Sequence, residues 1–369
     1  YHMQEKHIFA GNNTSEGFFS YFDYLLKPEE ANHIYILKGG PGVGKNRFMK
    51  RFAEIMEEKG YSAEYIHCSS DNISLDGILI PELKILFVDG TAPHTIDPVI
   101  PGAADEIINL GAFLDSQSLK KHKIAIIQTN KTKSDIYKSA YRYLKAAGII
   151  YDEICSICDS YVNVDKFNGM CEKAVTKLFN NSYGKKTGNV RKLFTESFTA
   201  NGYISHTELF FEENEVWAIV GKDTNYSAKL LDRILNEALK RGLDAECYYK
   251  PLTPKKLQHI YLPEKKLIII TAEHPMNDKY DEVFDIHSIM DSDSIKMRIS
   301  EIERNLYLYD MLINNALDKL SETKKMHDLL ETFYMNCMNF DGVNQRFDEI
   351  IQGIVTNQTR NVDAPLMKG

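Results

Sequence analysis

The chain has 369 residues, 43% of them hydrophobic and 26% charged, with a formal net charge of −8. At roughly 150 residues per domain this length allows two domains or one large α/β domain, and the composition supplies a sizeable core and argues against disorder. A mildly acidic balance argues against a nucleic-acid binder, which needs a basic surface, but leaves room for one basic pocket holding a small phosphate ligand.

No apolar run reaches the ~20 residues of a membrane span, and no basic-then-apolar leader with a small-residue cleavage site stands near the start. The reading is a cytoplasmic protein with no membrane partner. Tyr1-His2-Met3 reads as a cloning remnant at the head of a short lead, residues 1–5. Cys68, Cys155, Cys158, Cys171, Cys247 and Cys337 read as reduced thiols.

In chain order, an aromatic-rich entry segment (17–26) leads to a short apolar strand (34–37), a glycine and an amphipathic helix. Phe48, Phe52, Ile55 and Met56 give that helix one apolar stripe, and Gly60 stands where a left-handed C-cap glycine ends it. A strand follows at 63–67, then a polar loop, then a strand at 85–88. Four strong β-formers in a row there suit a parallel strand covered on both faces. Residues 119–147 and 162–179 carry helical spacing, and 182–190 form a polar, glycine-containing linker.

After the linker the same order returns. Residues 35–93 fall on 217–275 without a gap, laying Gly39 on Gly221, Arg51 on Arg233, Gly60 on Gly242 and Pro81 on Pro263. Upstream, Phe9 meets Phe194. Downstream, Asp115-Ser116 meets Asp291-Ser292, and Asn163-x-Asp165-x-x-Asn168 recurs as Asn339-x-Asp341-x-x-Asn344. The counterpart helices lie at 295–320 and 333–354. The chain is read as an internal duplication, 6–187 and 188–369. Each copy is expected to be a three-layer α/β unit, mostly parallel in its sheet, with a long helical pair appended.

Gly39-Gly40-Pro41-Gly42-Val43-Gly44-Lys45 follows a predicted strand and opens a predicted helix. Glycines let backbone N–H groups converge on phosphate oxygens, the helix N-terminus favours an anion, and Lys45 can reach the β- and γ-phosphates. The run, continued by Asn46 and Arg47, resembles the Walker A motif of P-loop nucleoside triphosphatases. That family places Ser or Thr, a Mg²⁺ ligand, where Asn46 stands. An amide oxygen is still a hard ligand but sits one bond further out, which would crowd the metal and slow hydrolysis while leaving phosphate binding to the backbone and Lys45. Ile85-Leu86-Phe87-Val88-Asp89 resembles a Walker B strand, whose Asp holds Mg²⁺. The resemblance therefore implies Asn46 and Asp89 as the metal set.

Between the two motifs, His67-Cys68-Ser69-Ser70-Asp71-Asn72-Ile73-Ser74-Leu75-Asp76-Gly77 begins at the carboxyl end of a strand, the side on which α/β sheets bind ligands. Asp71 or Asp76 could orient a water or accept a proton from a substrate hydroxyl; a polar Asx-turn loop is the alternative. His94 follows the Walker B-like strand and is a further candidate. The second copy has Lys222, Asp223, Thr224, Asn225, Tyr226 and Ser227 opposite 40–45, Tyr249 opposite His67 and Thr271 opposite Asp89. One nucleotide site per chain follows, in the first copy.

Other patterns carry less. Cys155-x-x-Cys158 reads as two buried helical thiols rather than a metal or redox pair. Asn130-Lys131-Thr132-Lys133 mimics a guanine-specificity loop but has Lys133 where that motif needs Asp, so ATP is expected ahead of GTP. Trp217 reads as a core or interdomain residue. Tyr137, Tyr141, Tyr143 and Tyr151 read as helix packing, with base stacking as the alternative.

Together, the run 37–42, the 67–77 loop, Asp89-Gly90-Thr91-Ala92-Pro93-His94 and the run 101–110 resemble a bacterial family of tandem P-loop proteins, described as ATPases or nucleotide-kinase-like proteins. The resemblance covers nearly the whole chain. It implies ATP and Mg²⁺ as ligands and Lys45 and Asp89 in the chemistry, but supplies no physiological reaction; the leading reading of the site is slow hydrolysis or phosphoryl transfer to a small-molecule or protein acceptor. The alternative is a nucleotide-binding switch or scaffold with negligible turnover owing to Asn46.

Overall fold

A computed structural model describes residues 5–179, 184, 186–276 and 279–362, with 357–362 described by their backbone alone. Lead residues 1–4 and linker residues 182, 183 and 185 lie outside the described residues.

The first half runs β1 (Lys6–Phe9), β2 (Gly11–Thr14), β3 (Gly17–Ser20), β4 (His33–Lys38), α1 (Lys45–Glu58), β5 (Glu64–His67), β6 (Leu75–Ile80), β7 (Ile85–Asp89), β8 (Asp105–Asn109), α2 (Ser116–Lys120), α3 (Lys123–Asp159) and α4 (Val164–Leu178). The second half repeats it as β9 (Val190–Leu193), β10 (Glu196–Thr199), β11 (Gly202–Ser205), β12 (Glu215–Val220), α5 (Tyr226–Lys240), β13 (Ala245–Tyr249), β14 (Leu257–Leu262), β15 (Leu267–Ala272), β16 (Glu282–Asp285), α6 (Ser292–Ile295), α7 (Ile299–Met335) and α8 (Phe340–Val362). Each half builds a six-stranded sheet and a two-stranded hairpin. The first sheet has the order β1-β5-β6-β7-β4-β8 and the second β16-β12-β15-β14-β13-β9, the same order of equivalents. β4 is parallel to β7 and β8, and β1 to β5, whereas β6 is antiparallel to both its neighbours.

Local chemistry accounts for the ends of several elements. Gly60 takes φ 91° after α1, while Gly60 N donates to Glu57 O and Tyr61 N to Met56 O, the paired closure of a glycine-ended helix. The repeated Asn residues are caps. Asn163 Oδ1 accepts from Lys166 N at the start of α4, and Asn339 Oδ1 accepts from Gly342 N at the start of α8. β6 and β8, the other edge strand β1 and the hairpin β2–β3, with their counterparts β14, β16, β9 and β10–β11, lie outside the strands that the sequence pattern gives. β6 carries the buried Asp76 inside an otherwise apolar stretch, so its first residues read as loop.

One face of each sheet is covered by helices, but not only by its own. α1 puts Phe48, Met49, Phe52 and Met56 into the first core, and α8 of the second half joins it with Val343, Phe347, Ile350, Ile351 and Ile354. Reciprocally, Phe167, Cys171, Ala174 and Leu178 of α4 pack beside Leu230, Leu231 and Ile234 of α5, over Trp217 and Ile219 of the second sheet. The halves exchange their last helices. Among the described residues the strands and helices of the first half thus recur in order in the second, yet neither half covers its sheet alone.

The opposite faces of the two sheets share one core, where Ile34, Ile36, Leu86 and Val88 join Val216, Ala218, Ile268 and Ile270. The layers therefore run helix, sheet, sheet, helix. This corrects the three-layer expectation. The central strands are buried on both faces as their apolar runs require, but the second cover is the other sheet.

A pseudo-two-fold axis passes between Phe9 and Phe194, whose backbones exchange hydrogen bonds of 2.8 and 2.9 Å. Around it the equivalents Lys6 and Arg191 each bridge the equivalents Glu64 and Glu246. Burial opposes the Glu64 charge, but Arg191 and Lys6 outweigh it and hold the carboxyl well below its usual range.

α3 and α7, 37 residues each, lie antiparallel. His122 meets Phe333 near one end of the pair and Tyr151 meets Tyr309 towards the other, with Ala140, Leu144, Ala147, Ala316 and Leu320 in the seam. Tyr137, Tyr141, Tyr143 and Tyr151 pack in this seam, as helix packing predicts. The 130–133 run lies inside α3, not in a loop.

Candidate functional site

The 39–45 loop leaves the carboxyl end of β4 with positive φ at Gly39 (150°), Gly42 (72°) and Gly44 (98°), conformations that side-chain-bearing residues rarely adopt. Val43 is buried and anchors the loop, whereas Arg47 is exposed on α1. Lys45 is the first residue of α1. Its Nζ donates to Gly39 O at 2.9 Å, Gly40 O at 3.3 Å and Thr91 Oγ1 at 3.1 Å, and lies 3.3 Å from Asp89 Oδ2. Asp89 ends β7, which pairs with β4 so that Leu37 faces Asp89. Thr91 fixes that carboxylate through its N–H and hydroxyl, at 2.9 and 2.6 Å. The fold thus brings the glycine loop, Lys45 and Asp89 together.

The two loop aspartates part company. Asp71 accepts from Ile73 N and from Asn201 Nδ2, and pairs with Lys324 at 3.1 Å, so it closes an Asx turn and ties the loop to the second half. Asp76 is 3% exposed and lies 3.9 Å from His94 Nε2. Burial pushes its carboxyl up to about 6; His94 opposes the rise, and the Asp89 charge adds to it. Burial, with the Asp76 charge adding to it, pushes the Cys68 thiol well up. His94 stacks on Phe22 at 4.6 Å, and neither of its ring nitrogens has a hydrogen-bond partner among the described residues. Asn46 Oδ1 accepts from Leu75 N at 3.2 Å, so the amide oxygen serves the first N–H of β6.

Sequence reasoning missed the roof of this site, which comes from the second half. A methyl group added to Gly40 would overlap the Tyr334 ring, and one on Gly42 would sit 2.8 Å from Met335 Cγ and 3.0 Å from the Glu331 carbonyl. Above these, Lys133 Nζ donates to His327 Nδ1 at 3.0 Å, and His327 Nε2 faces Glu331 at 3.4 Å. The duplication itself held a signal. The offset that lays Asp115 on Asp291 lays Cys158-Asp159 on Tyr334-Met335.

Those equivalents cover the corresponding loop of the second half, 221–227. Asn225 gives its N–H and its amide to the two oxygens of Asp159 at 2.8 and 3.0 Å, beside the N-terminus of α5. Cys158 Sγ lies 3.6 Å from Asp223, which pairs with His287 at 2.7 Å. Burial pushes Cys155 to about 11 and Cys158 to about 12, which keeps both thiols protonated. In this loop only Gly221 keeps a positive φ (134°). A carboxylate of the chain thus occupies the helix N-terminus that the first copy leaves to its glycine loop.

Among the described residues, no helix is long and apolar enough to cross a membrane. No protein-family model, curated protein or solved structure matches the chain.

Proposed function

We propose that the chain binds ATP with Mg²⁺ at the 39–45 loop and either hydrolyses it slowly or passes a phosphoryl group to a small-molecule or protein acceptor. The observation that carries this reading is the placement of Lys45, bonded into a glycine loop at a helix N-terminus and 3.3 Å from the strand-end carboxylate Asp89. The loop N–H groups would hold phosphate oxygens. The Lys45 ammonium would exchange its carbonyl partners for them. Asp89, with its second oxygen fixed by Thr91, suits a metal ligand, and Asn46 would join it only by releasing Leu75 N. Bound Mg²⁺ would supply neutralisation of charge on the phosphates. Asp76 suits the proton acceptor for an attacking hydroxyl or water, because its carboxyl is poised near neutrality beside Asp89.

The engagement of Asn46 with β6 favours a second reading, a nucleotide-binding switch with negligible turnover. Phosphate release from Mg²⁺-ATP, measured for the parent, Lys45→Ala and Asn46→Ser, separates the two. Parent turnover above the Lys45→Ala level removes the switch. Turnover only in Asn46→Ser supports it. ATP binding that survives Lys45→Ala defeats both.

A further inference from the structure

The helix pair α3/α7 has two ends, one over the intact loop and one over the degenerate loop, and the duplication allows them to be compared position by position. The offset that lays Asp115 on Asp291 lays Lys133 on Tyr309 and Tyr151 on His327. Over the degenerate loop, therefore, two tyrosine rings meet at 5.6 Å. Over the intact loop the same two positions hold a lysine and a histidine, joined at 3.0 Å. At these two positions a lysine–imidazole pair stands where the glycine loop is intact and a tyrosine pair where it is lost; the buried Lys250 that touches Tyr151 over the degenerate loop comes instead from the end of β13.

The surroundings of Lys133 make its charge hard to explain as packing. Lys38, Lys45 and Lys324 each have a carboxylate within 3.3 Å, respectively Asp97, Asp89 and Asp71. Among the described residues Lys133 has no carboxylate within 4.0 Å, and its amino group donates to an imidazole. Burial holds its pKa below the usual lysine value; Cys68 and Glu331 oppose that, and the Lys45 ammonium works with it. Glu331 reaches this half-buried ammonium only through His327, so an anion arriving in direct contact would stabilise it. Position agrees with this. One helical turn on, Tyr137 bonds Ser70 Oγ at 2.8 Å in the loop at the strand end. At the far end of the Lys133–His327–Glu331 relay, the Glu331 backbone lies against Gly42.

We infer that Lys133 is a binding residue for the terminal phosphate of the triphosphate, reaching it from the roof while Lys45 reaches it from the loop. This rests on the reading of the 39–45 loop as an ATP site. With the terminal phosphate present, the Lys133 ammonium exchanges an imidazole acceptor for a charged one, and a hydrogen bond to a charged group is the stronger kind. A diphosphate ends short of it. The roof helix α7 belongs to the second half, so the two halves of the chain complete one site.

The test is ATP and ADP affinity, with Mg²⁺, of the full chain as parent, Lys133→Met, Lys133→Arg and Lys45→Ala. Met keeps the apolar stem and Arg keeps the charge, and thermal melting checks that each variant is folded. Lys133→Met should weaken ATP by about ten- to a hundredfold and ADP by less than about threefold, with Lys133→Arg recovering most of the loss, as one charge-assisted contact to the terminal phosphate requires. If Lys45→Ala abolishes binding while Lys133→Met leaves ATP unchanged, or weakens ATP and ADP alike, the assignment of Lys133 is overturned and the loop reading stands. If Lys45→Ala binds ATP as the parent does, both fall.

Discussion

Replacing Asp76 by Asn should stabilise the fold at neutral pH and, on the proposed hydrolysis or phosphoryl transfer, stop turnover. Asp76 lies in β6, 3% exposed, beside Cys68, His94 and the Asp89 charge. An unfolded Asp releases its proton near 3.8, whereas the folded carboxyl keeps its proton up to about 6. Between those values the folded state binds more protons, so parent stability falls as pH rises through that window and stays lowered above it. A rise of about 2 units at ~1.4 kcal/mol per unit sets a ceiling of about 3 kcal/mol on this cost. Asn keeps the shape and removes the charge, but its amide needs new acceptors, so a gain of ~1–3 kcal/mol is expected. Urea unfolding of parent and Asp76→Asn near pH 7.5 and near pH 4 reads the effect. The variant should be the more stable near pH 7.5, and the two should converge near pH 4. A variant less stable by the same margin at both pH values would refute the claim that Asp76 is a strained, functional carboxylate.

Two further outcomes probe the halves. Asp159→Ala leaves Asn225 without its two hydrogen bonds at the start of α5 and should cost ~1–3 kcal/mol, read as a lowered unfolding midpoint; it should create no second ATP site, and a second site would show that the degenerate loop is only plugged. Phe347→Ala, at a 1% exposed position on α8, should cost ~3–5 kcal/mol. Its hydrogen exchange should quicken in α1 before α5, because α8 covers the first sheet; the reverse order would contradict the exchange of helices.

Much of this architecture was legible because the residues involved act locally. Gly60 and Gly242 end equivalent helices, Asn163 and Asn339 cap equivalent helices, and the 85–88 and 267–270 runs admit only buried strands. What was not legible depends on partners. The apolar stripe of α8 shows that Phe347 and Ile350 are buried, but nothing in it says that they lie on the other half's sheet. The apolar faces of β4 and β12 require a cover, and another sheet satisfies them as well as helices would. The positive-φ glycine loop at 39–45 is readable from its glycines, whereas Tyr334 and Lys133 belong to distant helices whose spacing reports only packing. The sequence offers Asp71 and Asp76 alike, and burial is what separates them, which a polar-looking stretch does not show.

Titration calorimetry of Mg²⁺-ATP into the full chain, beside Lys45→Ala and the corresponding Ser227→Ala in the second copy, tests the single-site reading most directly. One ATP per chain is predicted, lost in Lys45→Ala and unchanged in Ser227→Ala. No ATP uptake by the parent, or uptake that survives Lys45→Ala, would contradict it.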